Sequence, residues 1–89
     1  MGKLLTTKYL TDEYEALRKD LAGGLRISGV SVSLAWGGSD YDIALDRLTT
    51  PVQLLGWIHH LAEKDWMNLM RMQYFVEQVS ALRGWDIYQ

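Results

Sequence analysis

Cysteine is absent from these 89 residues, which excludes disulfides and thiolate chemistry and agrees with a reducing, cytoplasmic setting. No stretch approaches the ~20 apolar residues of a membrane-spanning helix. The start, Met1-Gly2-Lys3-Leu4-Leu5-Thr6, lacks the apolar run of a secretory signal. Neither sign of charge dominates. Eleven acidic against nine basic side chains leave a formal charge of −2, too balanced for a nucleic-acid footprint or an acidic mimic of one. Repeats, low-complexity segments and linkers are lacking too, so residues 1–89 are expected to form one compact domain with a modest core. The core has large rings to draw on, since the chain carries four Trp and five Tyr.

The clearest pattern is an alternation of apolar and small polar residues. In Val30-Ser31-Val32-Ser33-Leu34-Ala35-Trp36 the large apolar side chains fall on every second position, and Tyr41-Asp42-Ile43-Ala44-Leu45-Asp46 repeats this after Gly37-Gly38-Ser39-Asp40. A two-residue Gly38-Ser39 loop suits a type II′ turn. It sets Trp36 opposite Tyr41, Leu34 opposite Ile43 and Val32 opposite Leu45. Ser31, Ser33, Ala35, Asp42, Ala44 and Asp46 then share the other face, leaving one face to bury and one open. Leu25 and Ile27 are out of phase with this row. A bulge or bend near Gly29 would bring both segments to one core.

Helices flank the hairpin. Thr11 is a cap for a helix over residues 12–22, with Asp12 and Glu13 in its first turn and Leu10, Tyr14, Leu17 and Leu21 on one stripe. Gly23-Gly24 is expected to end it. Thr50-Pro51-Val52-Gln53 combines a cap, a first-turn proline and a capping-box partner. From there Val52, Leu55, Ile58 and Ala62 follow one face, widened by Leu54 and Leu61, to an end near residues 63–66. Asn68 is a cap for a last helix reaching Arg83, with Leu69, Met72, Phe75, Val76, Val79 and Leu82 as its apolar positions and Gly84 as terminator. Trp85-Asp86-Ile87-Tyr88 is expected to add a short edge strand. The fold class is therefore α+β: an N-terminal helix, an antiparallel β-hairpin, two helices and a short C-terminal strand packed as a two-layer domain.

Chemistry is harder to find. His59-His60 lie beside Glu63 and Lys64, but adjacent side chains diverge by about a hundred degrees on a helix, and two ligands leave most of a zinc shell unsupplied. The glycine pairs at 23–24 and 37–38 lack the Gly-Lys-Ser/Thr sequel of a phosphate loop. No nucleophile, paired base or oxyanion arrangement gives the carboxylates a catalytic task. No enzyme activity, cofactor or metal is expected.

Binding surfaces are better represented. Asp40, Asp42 and Asp46 are expected on the open sheet face beside small residues, where they can receive Arg or Lys from a partner. A solvated face that discourages association is the plainer reading. Trp57 and Trp66 are the candidate aromatic anchors, with Met67, Met70 and Met72 as adaptable neighbours. Arg18, Lys19, Arg26, Arg47, Lys64, Arg71 and Arg83 are scattered among acids, which makes nucleic-acid binding the weaker alternative.

Leu54-Leu55-Gly56-Trp57-Ile58-His59-His60-Leu61-Ala62-Glu63-Lys64-Asp65-Trp66, with Phe75-Val76-Glu77 and Gly84-Trp85, resembles small phage or prophage accessory proteins over roughly the C-terminal half. The resemblance implies a host-interacting, anti-defence protein, such as an inhibitor of a nucleic-acid-targeting complex of the CRISPR type. The expected function is thus a non-catalytic protein-binding module directed at a host protein or defence complex. A homodimer is also compatible with an exposed final strand and surface aromatics. A small nucleic-acid-binding regulator is the alternative.

Overall fold

The computed structural model describes residues 15–86. The expected cap at Thr11, the first turn at Asp12 and Glu13, the stripe positions Leu10 and Tyr14, and the residues Ile87 and Tyr88 lie outside the described residues. The chain forms an α+β domain. Helix α1 is described over residues 15–24. Three strands follow, β1 (Leu25–Ile27), β2 (Ser31–Leu34) and β3 (Tyr41–Ala44), paired antiparallel in the order β1-β2-β3. A 3-10 turn at Leu45–Arg47 leads into α2 (Pro51–Leu61) and α3 (Leu69–Arg83). Leu25, Val32, Leu34 and Ile43 from the sheet meet Leu48, Leu54, Leu61, Phe75 and Val79 in one core.

The helix ends follow from local chemistry. The Thr50 hydroxyl accepts from the Gln53 amide, while Gln53 Oε1 accepts from the Thr50 amide, closing the capping box ahead of Pro51. Asn68 Oδ1 accepts from the Arg71 amide at 2.8 Å. Gly84 takes the left-handed conformation, φ 75°, that closes a helix C-terminus. α2 ends at Leu61 with Ala62 as its C-cap, slightly earlier than expected.

The hairpin register differs from the expected one by two residues. Val32 pairs with Ile43 and Leu34 with Tyr41, not with Leu45 and Ile43. The connection over residues 35–40 is correspondingly longer than a two-residue turn, and Trp36 lies in it rather than opposite Tyr41. The cause is tertiary. The Trp36 indole donates to the Asp20 carbonyl of α1 at 3.3 Å and meets the Tyr74 ring edge-on at 6.5 Å. Ala35 N–H donates to the Gly24 carbonyl at 2.7 Å, so the end of β2 is drawn to the end of α1. Gly38, at φ 94°, makes the bend. The slip is an even number of residues, so each strand keeps the same side chains inward.

A second turn explains the phase change at Gly29. Ser28 N–H donates to the Ser31 carbonyl at 2.9 Å, and the Ser28 hydroxyl accepts from the amides of Val30 and Ser31. Gly29-Val30 is thus the tip of a β1–β2 hairpin, a bend and not a bulge. Leu25 faces Leu34 and Ile27 faces Val32 across it. Val30 leaves the expected strand row and is exposed.

Three further expectations are corrected. Helix α1 runs through Gly23 and Gly24 into β1 without a left-handed residue. Gly24 serves close packing, because a Cβ there would collide with the Trp36 indole. In α2 the buried positions are Leu54 and Leu61, seven apart, while Val52 and Leu55 stand outward at 76% and 64% exposure. At the C-terminus, Trp85 and Asp86 are irregular and add no strand to the described sheet.

Candidate functional site

One face of the sheet packs on the helices, and the other is open. Arg26 pairs with Ser33 across β1–β2, and Ser33 pairs with Asp42 across β2–β3. These three side chains therefore form a row on the open face, opposite the core row of Leu25 and Leu34. Ser31 and Ala44 pair beside them, so the surface is low and flat. The Ser33 hydroxyl bonds the Asp42 carboxylate at 2.5 Å, which orients the carboxylate without neutralising it.

The three expected aspartates have different fates. Asp40, in the connection before β3, accepts from Arg26 Nη2 with both oxygens at 3.1 and 3.2 Å. This ion pair is largely in water, with side chains 67% and 53% exposed, a setting in which such pairs contribute at most about 1 kcal/mol. Asp42 is on the open face and exposed, as expected. Asp46 is exposed but belongs to the 3-10 turn. The strand ends at Ala44, so the alternation that would align Asp46 with Asp42 stops short of it. Asp46 forms no ion pair among the described residues.

The two candidate tryptophans are half-buried and partly engaged by the fold. Trp66 covers Gly37, where a Cβ would collide with the ring, and its ring lies 5.8 Å from that of Tyr41. Trp57 donates its indole N–H to the Arg47 carbonyl at 3.2 Å and meets His60 edge-on at 5.7 Å. Trp57 also lines an open groove of about 450 Å³ with Arg47, Gln53, Gly56 and His60. The methionines divide. Met67 and Met72 line a shallow cleft with Ile58, Ala62 and Leu69, whereas Met70 borders α1 near Leu17 and Leu21.

Several basic residues are committed inside the chain. Arg83 donates to the Leu45 and Leu48 carbonyls at 2.6 and 2.8 Å, tying the end of α3 to the 3-10 turn. Arg71 donates to the Trp66 carbonyl at 2.6 Å and reaches Asp20 at 3.5 Å, with its guanidinium 5.8 Å from the Trp36 ring centre. Lys64 lies 5.2 Å from the ring centre of Tyr41. These tertiary roles were not readable from spacing. Arg26 was likewise not expected on the open face, because its strand could be paired only once the Gly29 turn was known.

His59 and His60 are both exposed. Among the described residues no three His, Asp or Glu side chains gather as a metal ion would require, and no described helix is long and apolar enough to cross a membrane. Comparison with protein-family models, with curated proteins and with solved structures finds no match.

Proposed function

We propose that this chain is a non-catalytic protein-binding domain that offers the open face of its sheet to a basic surface of another protein. The observation that carries the reading is the Asp42 carboxylate, aimed by the Ser33 hydroxyl and set among small residues. Such a group can accept from an incoming guanidinium or ammonium, and a charge-assisted hydrogen bond rewards correct orientation. Asp46 adds charge in the exposed 3-10 turn that follows the strand. Asp40 is already shared with exposed Arg26, so a partner can exchange with that pair at small cost.

The engagement of Arg71, Arg83 and Lys64 within the fold favours this reading over nucleic-acid binding. Phosphate recognition needs several free cations on one surface. The resemblance of residues 54–66, 75–77 and 84–85 to phage accessory proteins supplies the class of partner, a host complex that targets nucleic acid. The basic channel of such a complex presents the arginines and lysines that an acidic sheet face would engage. Trp57, on the rim of its groove, is the competing anchor.

Paired capture experiments test the proposal. A host protein retained by the wild-type chain at low salt should be released at high salt and should not be retained by the Asp42→Asn/Asp46→Asn variant. Equal retention by the two chains, or retention of nucleic acid in place of protein, would remove the sheet face as the interface.

A further inference from the structure

The outer face of α2 is exposed and carries no fixed charge. Its sequence, PVQLLGWIHHL, contains no Asp, Glu, Lys or Arg, although most of the helix is exposed. Helices at a protein surface ordinarily carry charge on the side away from the core. Here the positions opposite buried Leu54 and Leu61 are Val52, Gly56 and His59, with Leu55 on the flank beside them. Val52 and Leu55 are 76% and 64% exposed. By helical spacing Leu55 adjoins Ile58 and Ala62, which share a cleft of about 330 Å³ with Met67, Leu69 and Met72. Leu69 is itself 72% exposed. The apolar surface therefore runs continuously from the start of α2 to the start of α3.

Gly56 interrupts this surface without a side chain. It sits at the middle of α2, and a Cβ added there meets nothing within 4 Å. The fold of a single chain gives no reason for a residue so unfavourable in a helix interior. A close approach by another backbone would give one.

We propose that α2 packs antiparallel against α2 of a second copy of this chain, about a two-fold axis near Gly56. Two features favour a second copy over an unrelated partner. A two-fold contact sets each patch against itself, and a helix without fixed charges meets its own copy without repulsion. The area also fits. Val52, Leu55 and Leu69 leave on the order of 400 Å² of apolar surface in water on each copy, from their fractional exposures. That is about half of the ~800 Å² a stable interface takes from each partner, and interfaces are little more than half apolar. In this arrangement the helices face inward, leaving both open sheet faces outward and making the pair a bivalent binder.

Sedimentation equilibrium over a hundredfold range of protein concentration tests the proposal. The wild-type chain should sediment at twice its 10.2 kDa mass, and Val52→Glu/Leu55→Glu should sediment as a monomer with an unchanged circular-dichroism spectrum. Gly56→Ala should weaken association about tenfold or more, as expected at the centre of an interface, while raising the thermal midpoint of the monomeric double variant. Asp42→Asn/Asp46→Asn should remain dimeric, so failure of the sheet-face reading is separable from failure of this one. A wild-type monomer throughout, or a double variant that still dimerises, would overturn the pairing of α2.

Discussion

The turn between β2 and β3 and the ends of α2 and α3 are held by different physics. Each helix end is secured by residues a few positions away: Thr50 with Gln53, Asn68 with Arg71, Gly84 at the last turn. The 35–40 connection is secured by contacts from distant parts of the chain. Trp36 reaches back to Asp20 and Gly24, and the Trp66 ring covers Gly37. A cap satisfies one or two backbone groups at the surface, and its loss leaves them to water. A ring seated on a glycine fills space inside the packing, and an added methyl there has nowhere to go. Local devices should therefore be individually cheap to remove, and tertiary ones costly.

The sharpest way to break that contrast is to substitute the two covered glycines. Gly24→Ala and Gly37→Ala should each lower stability by about 1–3 kcal/mol, nearer the upper end, the usual cost of overpacking a close contact, measured by urea unfolding. Trp36 is restrained by Asp20, Tyr74 and Arg71, so it cannot simply swing aside. A loss well below this range would mean that the connection is not pinned by its rings. Arg83→Met comes next, at about 2 kcal/mol, because it strips a charged donor from two carbonyls that join α3 to the 3-10 turn. Comparing its thermal midpoint with that of the wild type checks the value.

Caps should give smaller effects. Thr50→Ala and Asn68→Ala are each expected to cost about 1 kcal/mol, and costs as large as those of Gly24→Ala would erase the distinction. Smallest of all is the stability effect of Asp42→Asn, which should leave the unfolding midpoint where it is. The carboxylate is exposed, and surface substitutions away from the core change stability little. Loss of stability in that variant would instead assign the Ser33–Asp42 bond a structural role.

This contrast also explains what could be read from the chain in advance. Cap residues act over three or four positions, so Thr50, Pro51, Gln53, Asn68 and Gly84 were legible in order and number. Alternation identified Val32, Leu34, Tyr41 and Ile43 as facing the core, because an even slip preserves the inward set, while Val30, Trp36 and Leu45 fall outside the strands. It could not discriminate between registers two residues apart. Trp36 made that choice through α1, far away in sequence. The same ambiguity ran through α2, whose apolar residues surround most of the helix. The expected face of Val52, Leu55, Ile58 and Ala62, widened by Leu54 and Leu61, proved to be buried at Leu54 and Leu61 once the sheet and α3 occupied one side.

The candidate surface divides along the same line. Asp42 was legible as an outward strand residue. The loss of Asp46 from the strand, the pairing of Asp40 with Arg26, and the seating of Trp66 on Gly37 each required the folded chain. The absence of fixed charge along 51–62 was visible in the letters, but its meaning depended on knowing which side of α2 faces water.

Sequence by itself determined the α+β class, the starts of α2 and α3, the end of α3 and the inward parity of β2 and β3, because these rest on interactions within a turn or on a period of two. Only tertiary structure decided the strand register, the buried side of α2 and the groups exposed on each outer face. Those depend on which distant side chains compete for the same space, and spacing along the chain carries no record of that competition.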